Sequence, residues 1–143
     1  MSMTDDSPKK LSLVVFSGSF EKVHYALVMA SAALASNRAV TLFFTMEASR
    51  TVLAPSGWRH LRPDMQGATA TSLDLTYAQR GIGTFEELLS ACVALGGKFM
   101  VCEMGLRALG LEHEKRRDDL AIEVGGVVTF LNDARQSGEM LFI

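Results

Sequence analysis

Near the amino end, two β-rich apolar runs flank one alanine- and leucine-rich segment, with only short links between them. Leu11-Ser12-Leu13-Val14-Val15-Phe16 reads as a buried strand that turns at Ser17-Gly18-Ser19. Residues 21–36 carry Ala, Leu and Met at helical density. Asn37-Arg38 then turns the chain into Ala39-Val40-Thr41-Leu42-Phe43-Phe44, a second strand. Strand, helix, strand with tight joins is the signature of a right-handed βαβ unit, and this excludes all-α and meander-type all-β folds. The helix is apolar on nearly every face, with Val23, Tyr25, Ala26, Leu27, Val28, Met29, Ala30, Ala33 and Leu34. A helix of that kind is covered on more than one side, and a second copy of the chain would be one such cover.

The same logic extends to the carboxyl end. Thr84-Phe85-Glu86-Glu87 forms a capping box ahead of a helix with Phe85, Leu88, Leu89, Cys92 and Leu95 at helical spacing, stopped by Gly96-Gly97. Lys98 to Val101 is a third strand that reaches Cys102, and a short helix follows from Glu103 to Leu109. Leu120 to Val124 reads as a fourth strand, Gly125-Gly126 leads into a last helix with Val127, Val128, Phe130, Leu131 and Ala134, and Met140 to Ile143 is a terminal strand. Residues 47–82 are the least regular part, an excursion containing Pro55, Pro63 and the lone Trp58, with a short helix over 47–53. The expected architecture is therefore a single α/β domain over residues 11–143, a Rossmann-like three-layer sandwich whose mostly parallel sheet has about five strands. Residues 1–10 are polar and read as a disordered tail.

Composition narrows the function classes. The 143 residues carry a net charge of −2, which leaves no electrostatic footprint for nucleic acid. No apolar run approaches the roughly 20 residues needed to cross a bilayer, and the opening lacks the apolar core of a secretory signal. These features lead to the expectation of a soluble, cytoplasmic protein. Two cysteines and three scattered histidines make neither a disulfide scaffold nor a metal-ligand spacing, so no metal and no cofactor are expected.

Chemistry, if present, centres on Cys102. A cysteine at the carboxyl end of a parallel strand and the start of a helix lies where open α/β sheets bind ligands, and helix-terminal N–H groups favour a thiolate there. The position is equally consistent with a plain core thiol. Cys92, on the apolar stripe of its helix, reads as packed core. Ser17, Gly18 and Ser19 resemble an anion-binding turn without the glycine spacing of a nucleotide loop. His24 belongs to the same sheet edge as a base or hydrogen-bond donor, or is simply buried beside Tyr25 and Val28. Glu103 and Met104 follow the cysteine, and Gly125-Gly126 would let backbone approach it or simply form a tight turn. Trp58-Arg59-His60-Leu61-Arg62 and the mixed-charge run 112–119 read first as solvated surface.

Four segments, taken together, resemble the DsrE/DsrF/DsrH-like family, in its DsrE-like branch, which is sometimes labelled peroxiredoxin-like. They are Val14 to Val23; Val40 to Thr45; Glu86 through Lys98-Phe99-Met100-Val101-Cys102-Glu103-Met104 to Leu109-Gly110; and Ile122 to Leu131 with Leu141-Phe142-Ile143. The resemblance implies a Rossmann-like domain that forms homo-oligomers and holds sulfane sulfur as a persulfide on Cys102. The sulfur would come from a rhodanese-like donor and pass to a TusA-like carrier. The chain departs from the family at Gly105 and Arg107, where a serine and an acidic residue are common, at Ser19, and throughout the excursion. Two other readings stay open: a non-enzymatic oligomeric binding module, and a one-cysteine thiol redox protein.

Overall fold

The computed structural model describes residues 8–135 and 138–143. Five strands, β1 (Lys10–Val15), β2 (Val40–Phe44), β3 (Lys98–Cys102), β4 (Ile122–Gly125) and β5 (Gly138–Phe142), form one sheet in the order β4-β3-β2-β1-β5. Every neighbouring pair is parallel. The strands named from the sequence are all present. Lys10 already belongs to β1, so the polar segment expected at 1–10 is shorter by that residue, and residues 1–7 lie outside the described part.

The strand order determines the layers. From β1 to β4 each crossover steps in one direction, whereas the last connection returns past β1 to the opposite edge. Right-handed crossovers therefore place the last helix on the other face of the sheet from its predecessors. One face carries α1 (Phe20–Ala35), the excursion, α3 (Phe85–Ala94) and α4 (Glu103–Ala108). Its core joins Leu13, Val15, Leu42, Phe44, Phe99 and Val101 of the strands to Phe20, Leu27, Phe85, Leu89 and Leu106 of the helices. The alternate strand residues point the other way, and among the described residues only α5 (Val127–Ala134) covers them, through a small cluster of Phe43, Met100, Cys102 and Phe130.

The apolar character of α1 has a cover within its own chain. Val23, Ala26, Leu27, Ala30, Ala33 and Leu34 are buried, while Tyr25 remains 62% exposed. Sheet on one side and α3 with the excursion on the other account for the pattern that suggested a second copy. Several large apolar side chains left in solvent lie on the thinly covered face and its edge, among them Val127, Val128, Leu131, Met140 and Phe142.

The excursion is more ordered than its proline and glycine content suggested. After β2 come two 3₁₀ turns, Met46–Val52 and Gly57–His60, and then α2 (Ala70–Gln79). Thr69 and Ser72 form a reciprocal capping box at the start of α2. Serine at the third position is a weaker helix signal than the Thr84/Glu87 pair, which caps α3 as expected. Trp58 is buried against Phe85, with ring centroids 4.9 Å apart, and its indole N–H donates to Glu86 at 3.0 Å. This indole is core, and Arg59 stacks over it at 4.6 Å.

The charged run 112–119 is not wholly solvated. The Arg117 side chain is 7% exposed and reaches Glu86 with both terminal nitrogens at 2.7 Å. It also holds Asp119 through Nε at 2.9 Å and Nη2 at 2.7 Å. Those hydrogen bonds keep its guanidinium protonated beyond even the usual arginine range. Alternating charges suggested solvent because nothing local announces that one of three consecutive basic residues turns inward.

Candidate functional site

Cys102 ends β3, pairs in register with Gly125, and is the N-cap of α4. Its placement at the carboxyl edge of the sheet is the one read from the sequence. Its surroundings are more enclosed: the residue is 1% exposed, and its side chain makes no capping hydrogen bond to α4. Strand alternation explains both facts. Phe99 and Val101 face the larger core, whereas Met100 and Cys102 face α5. The thiol therefore sits against Phe43 and Phe130, whose rings stack with centroids 4.6 Å apart. The six-residue α4 packs on the opposite face through Leu106.

Gly105 answers one departure from the family pattern. A Cβ there would lie 2.6 Å from the Met46 backbone nitrogen and 2.7 Å from Thr45 Oγ1. Met46 takes a left-handed φ of 50° as the chain leaves β2, and this brings that backbone against α4. A serine would not fit. Arg107 is exposed on α4, as are Glu103 and Met104. Met104, at 55% exposure, helps to line an apolar pocket of about 520 Å³. Phe16, Phe43, Met46, Phe130 and Phe142 also line it. The pocket lies at the carboxyl ends of the strands, on the same side of the sheet as Cys102, and Phe43 and Phe130 separate the two.

The serine turn lies at the carboxyl end of β1, two strands from Cys102. Ser19 caps α1 by accepting from the Lys22 N–H at 3.3 Å. Its hydroxyl donates to Asp64 at 2.8 Å, and Ser17 Oγ accepts from the Ser19 N–H at 3.0 Å. Asp64, from the excursion, thus ties the serine turn to the segment that follows the second 3₁₀ turn. Beside this turn is a separate pocket of about 360 Å³ lined by Ser17, Gly18, Ser19, Lys22 and Arg62 among others. His24 is not brought to Cys102. Its ring is 4% exposed in the core of the other face, with Nε2 2.8 Å from the Gly83 carbonyl oxygen and the ring edge-on to Tyr77. Gly125 and Gly126 sit directly beside Cys102, as the end of β4 and the N-cap of α5.

Cys92 is fully buried on α3, its thiol 3.9 Å from the Leu27 carbonyl oxygen. Burial pushes its pKa up to about 11. The two thiols lie on opposite faces of the sheet and cannot meet. Among the described residues no three His, Cys, Asp or Glu side chains gather as a metal-ligand set, and no helix is long and apolar enough to cross a membrane.

Sequence reasoning missed the group that ties down α5. Asp133 accepts from Lys10 Nζ at 2.6 Å, Thr41 Oγ1 at 2.7 Å and Lys98 Nζ at 2.8 Å. Burial alone would raise its pKa, but these three donors outweigh it and hold the carboxyl well below its ordinary range. The available signal was spacing, since Phe130 and Asp133 are three residues apart on one helical face.

Residues 49–142 match the model of the DsrE/DsrF/DrsH-like family. Over 99% of its length the chain is 24% identical to the whole of YrkE, an uncharacterized protein of Bacillus subtilis (strain 168). The crystal structure of the YchN protein from E. coli superposes with a TM-score of 0.60 at 16% identity, covering 94% of this chain and 99% of that one.

Proposed function

This chain belongs to the DsrE/DsrF/DrsH-like family, and on that premise we propose that it relays sulfane sulfur, carried as a persulfide on Cys102. The observation that supports the reading is the division of labour between the two cysteines. Cys92 is locked in the larger core, whereas Cys102 ends a strand at the edge where open α/β sheets usually take their ligands, in a cluster with Phe43 and Phe130, which also line a pocket. The Cys102 thiolate attacks the outer sulfur of a donor persulfide. The donor's S–S bond breaks, the donor leaves as a thiolate, and the transferred sulfur stays on Cys102. An acceptor thiolate then attacks that outer sulfur and Cys102 leaves in turn, so no external oxidant or reductant is needed.

A rhodanese-like protein as donor and a TusA-like carrier as acceptor suit this chemistry. A second copy of the chain is a further partner in this reading. The edge strand β5 supports it, because every one of its residues is exposed and three of them are Met140, Leu141 and Phe142.

The test is the intact-protein mass after brief exposure to polysulfide. The wild type should gain one sulfur that a reductant removes, and Cys102→Ala should gain none. Equal loading of both proteins, or of neither, would remove the carrier reading. The burial of Cys102 favours one alternative, an oligomeric binding module in which the thiol is inert. In that case no sulfur is gained, and assembly measured by sedimentation is the same with and without Cys102.

A further inference from the structure

A thiol that is 1% exposed cannot reach the persulfide of another protein unless something above it moves. We propose that α5 is a hinged cover whose displacement opens the apolar pocket onto Cys102. The inference concerns access to the site and takes its purpose from the carrier reading, but its test needs no sulfur.

Three observations point to α5. The first is thin attachment: of the eight residues in Val127–Ala134 only Phe130 is buried, whereas α1 buries eight. Local opening draws on such weakly packed elements first. The second is that Phe130 is a shared wall. The same ring lines the pocket of about 520 Å³ and packs with Phe43 and Met100 around Cys102, so withdrawing it joins the two spaces. The third is the hinge. Gly126, the N-cap of α5, has a φ of −99°, and a Cβ there would meet nothing within 4 Å. Neither backbone conformation nor crowding demands a glycine at that position. Glycine, an accepted N-cap residue, also leaves this joint the backbone freedom a hinge needs.

The cover also has a latch. Asp133, one turn beyond Phe130, takes hydrogen bonds from Lys10 on β1, Thr41 on β2 and Lys98 on β3. All three donors come from the sheet, so α5 is held closed by a polar tie at one end and by one aromatic ring at its middle. Weakening the tie should raise the open population without touching the residues that pack on the thiol.

The two cysteines make the experiment self-controlled. Global unfolding exposes both, but opening of α5 exposes only Cys102. Alkylation by N-ethylmaleimide, followed site by site by peptide mass, should modify Cys102 at least about tenfold faster than Cys92 in the wild type. Asp133→Asn should speed Cys102 several-fold further and raise the ratio of its rate to that of Cys92, and Phe130→Leu should raise the same ratio from the packing side. Iodoacetate, being charged, should lag behind N-ethylmaleimide at Cys102 by more than it does at a free thiol, because the entry is apolar. If Cys102 and Cys92 react at one common rate in the wild type and in both variants, access requires global unfolding and α5 is not a cover. If Cys102 opens as described yet gains no sulfur from polysulfide, the carrier reading fails and the cover stands.

Discussion

Replacing Arg117 with methionine tests how the excursion and the 112–119 segment are held to the rest of the domain. The variant loses two hydrogen bonds to Glu86 and two to Asp119. Its backbone N–H still donates to the Val52 carbonyl at 2.8 Å. Bonds between charged groups contribute roughly 1.5–3 kcal/mol each when fully enclosed. Here the acceptors are half open, with Glu86 42% and Asp119 57% exposed, so they rehydrate once the guanidinium is gone. That moves each ion pair toward the surface value of about 0.2–1 kcal/mol. Methionine also fills part of the vacated volume and removes the desolvation cost of a buried cation. The net loss should be about 2 kcal/mol, which for a chain of this length lowers the Tm by about 4–8 °C.

The assay is thermal and urea unfolding followed through Trp58, the only tryptophan. Because Glu86 accepts from both Trp58 and Arg117, its carboxylate gains freedom in the variant, and the indole emission should shift to the red even in the folded protein. Arg117 also lowers the Asp119 pKa through its hydrogen bond to that carboxylate. Asp119 therefore stabilises the wild type above its ordinary carboxylate range. That contribution is lost as pH falls through the depressed folded value, so Arg117→Met should have a flatter acid limb. Exposed Arg116→Met, next in sequence, should stay within about 0.5 kcal/mol of the wild type. If the two variants melt together, with the same Trp58 emission, the inward arginine does not hold this region and the reasoning is refuted.

Other perturbations follow from single contacts. Because burial raises the Cys92 pKa to about 11, the unfolded thiol ionises first, so the stability present below about pH 8.5 should fall by about 3 kcal/mol as pH climbs toward the folded value. Cys92→Ala should make that alkaline slope shallower in urea midpoints measured across pH, leaving the part that Tyr77 and Lys98, whose pKa values are also raised, contribute. Gly105→Ser should cost about 1–3 kcal/mol or more, since its Cβ would press on the Met46 and Thr45 backbone; a serine variant as stable as the wild type would show that α4 is free to shift. Asp133→Asn should lose stability near neutral pH and flatten the acid limb, because the depressed Asp133 pKa makes its contribution present above the ordinary carboxylate range and lost as pH falls. A pH-stability curve that superposes on the wild type would argue that Lys10, Thr41 and Lys98 bind it without consequence.

Periodicity and punctuation alone determined most of the architecture. Short apolar runs alternating with helical segments require parallel strands joined by crossovers, and the Thr84–Glu87 box with Gly96-Gly97 bounds α3 because caps satisfy backbone groups locally. Cys92 was legible as core for the same reason, since its spacing from Phe85 and Leu89 puts it on one helical face. The edge position of Cys102 was legible too, because a strand that runs into a helix can end nowhere else.

What tertiary structure decided were the matters that depend on which elements become neighbours. Strand alternation shows that Cys102 and Val101 face opposite ways, but only the return crossover to β5 places α5, and with it Phe130, over the thiol. His24 lies near the same edge in sequence, yet the helical turn carries its ring to the other face, where Gly83 and Tyr77 receive it. Arg117 read as part of a solvated run and Asp133 went unmarked, because the partners that bury them lie 31 residues away at Glu86 and as far as 123 residues away at Lys10. Local propensity is written in adjacent residues. A buried charge or a covered thiol is defined by groups that meet only when the chain has closed on itself.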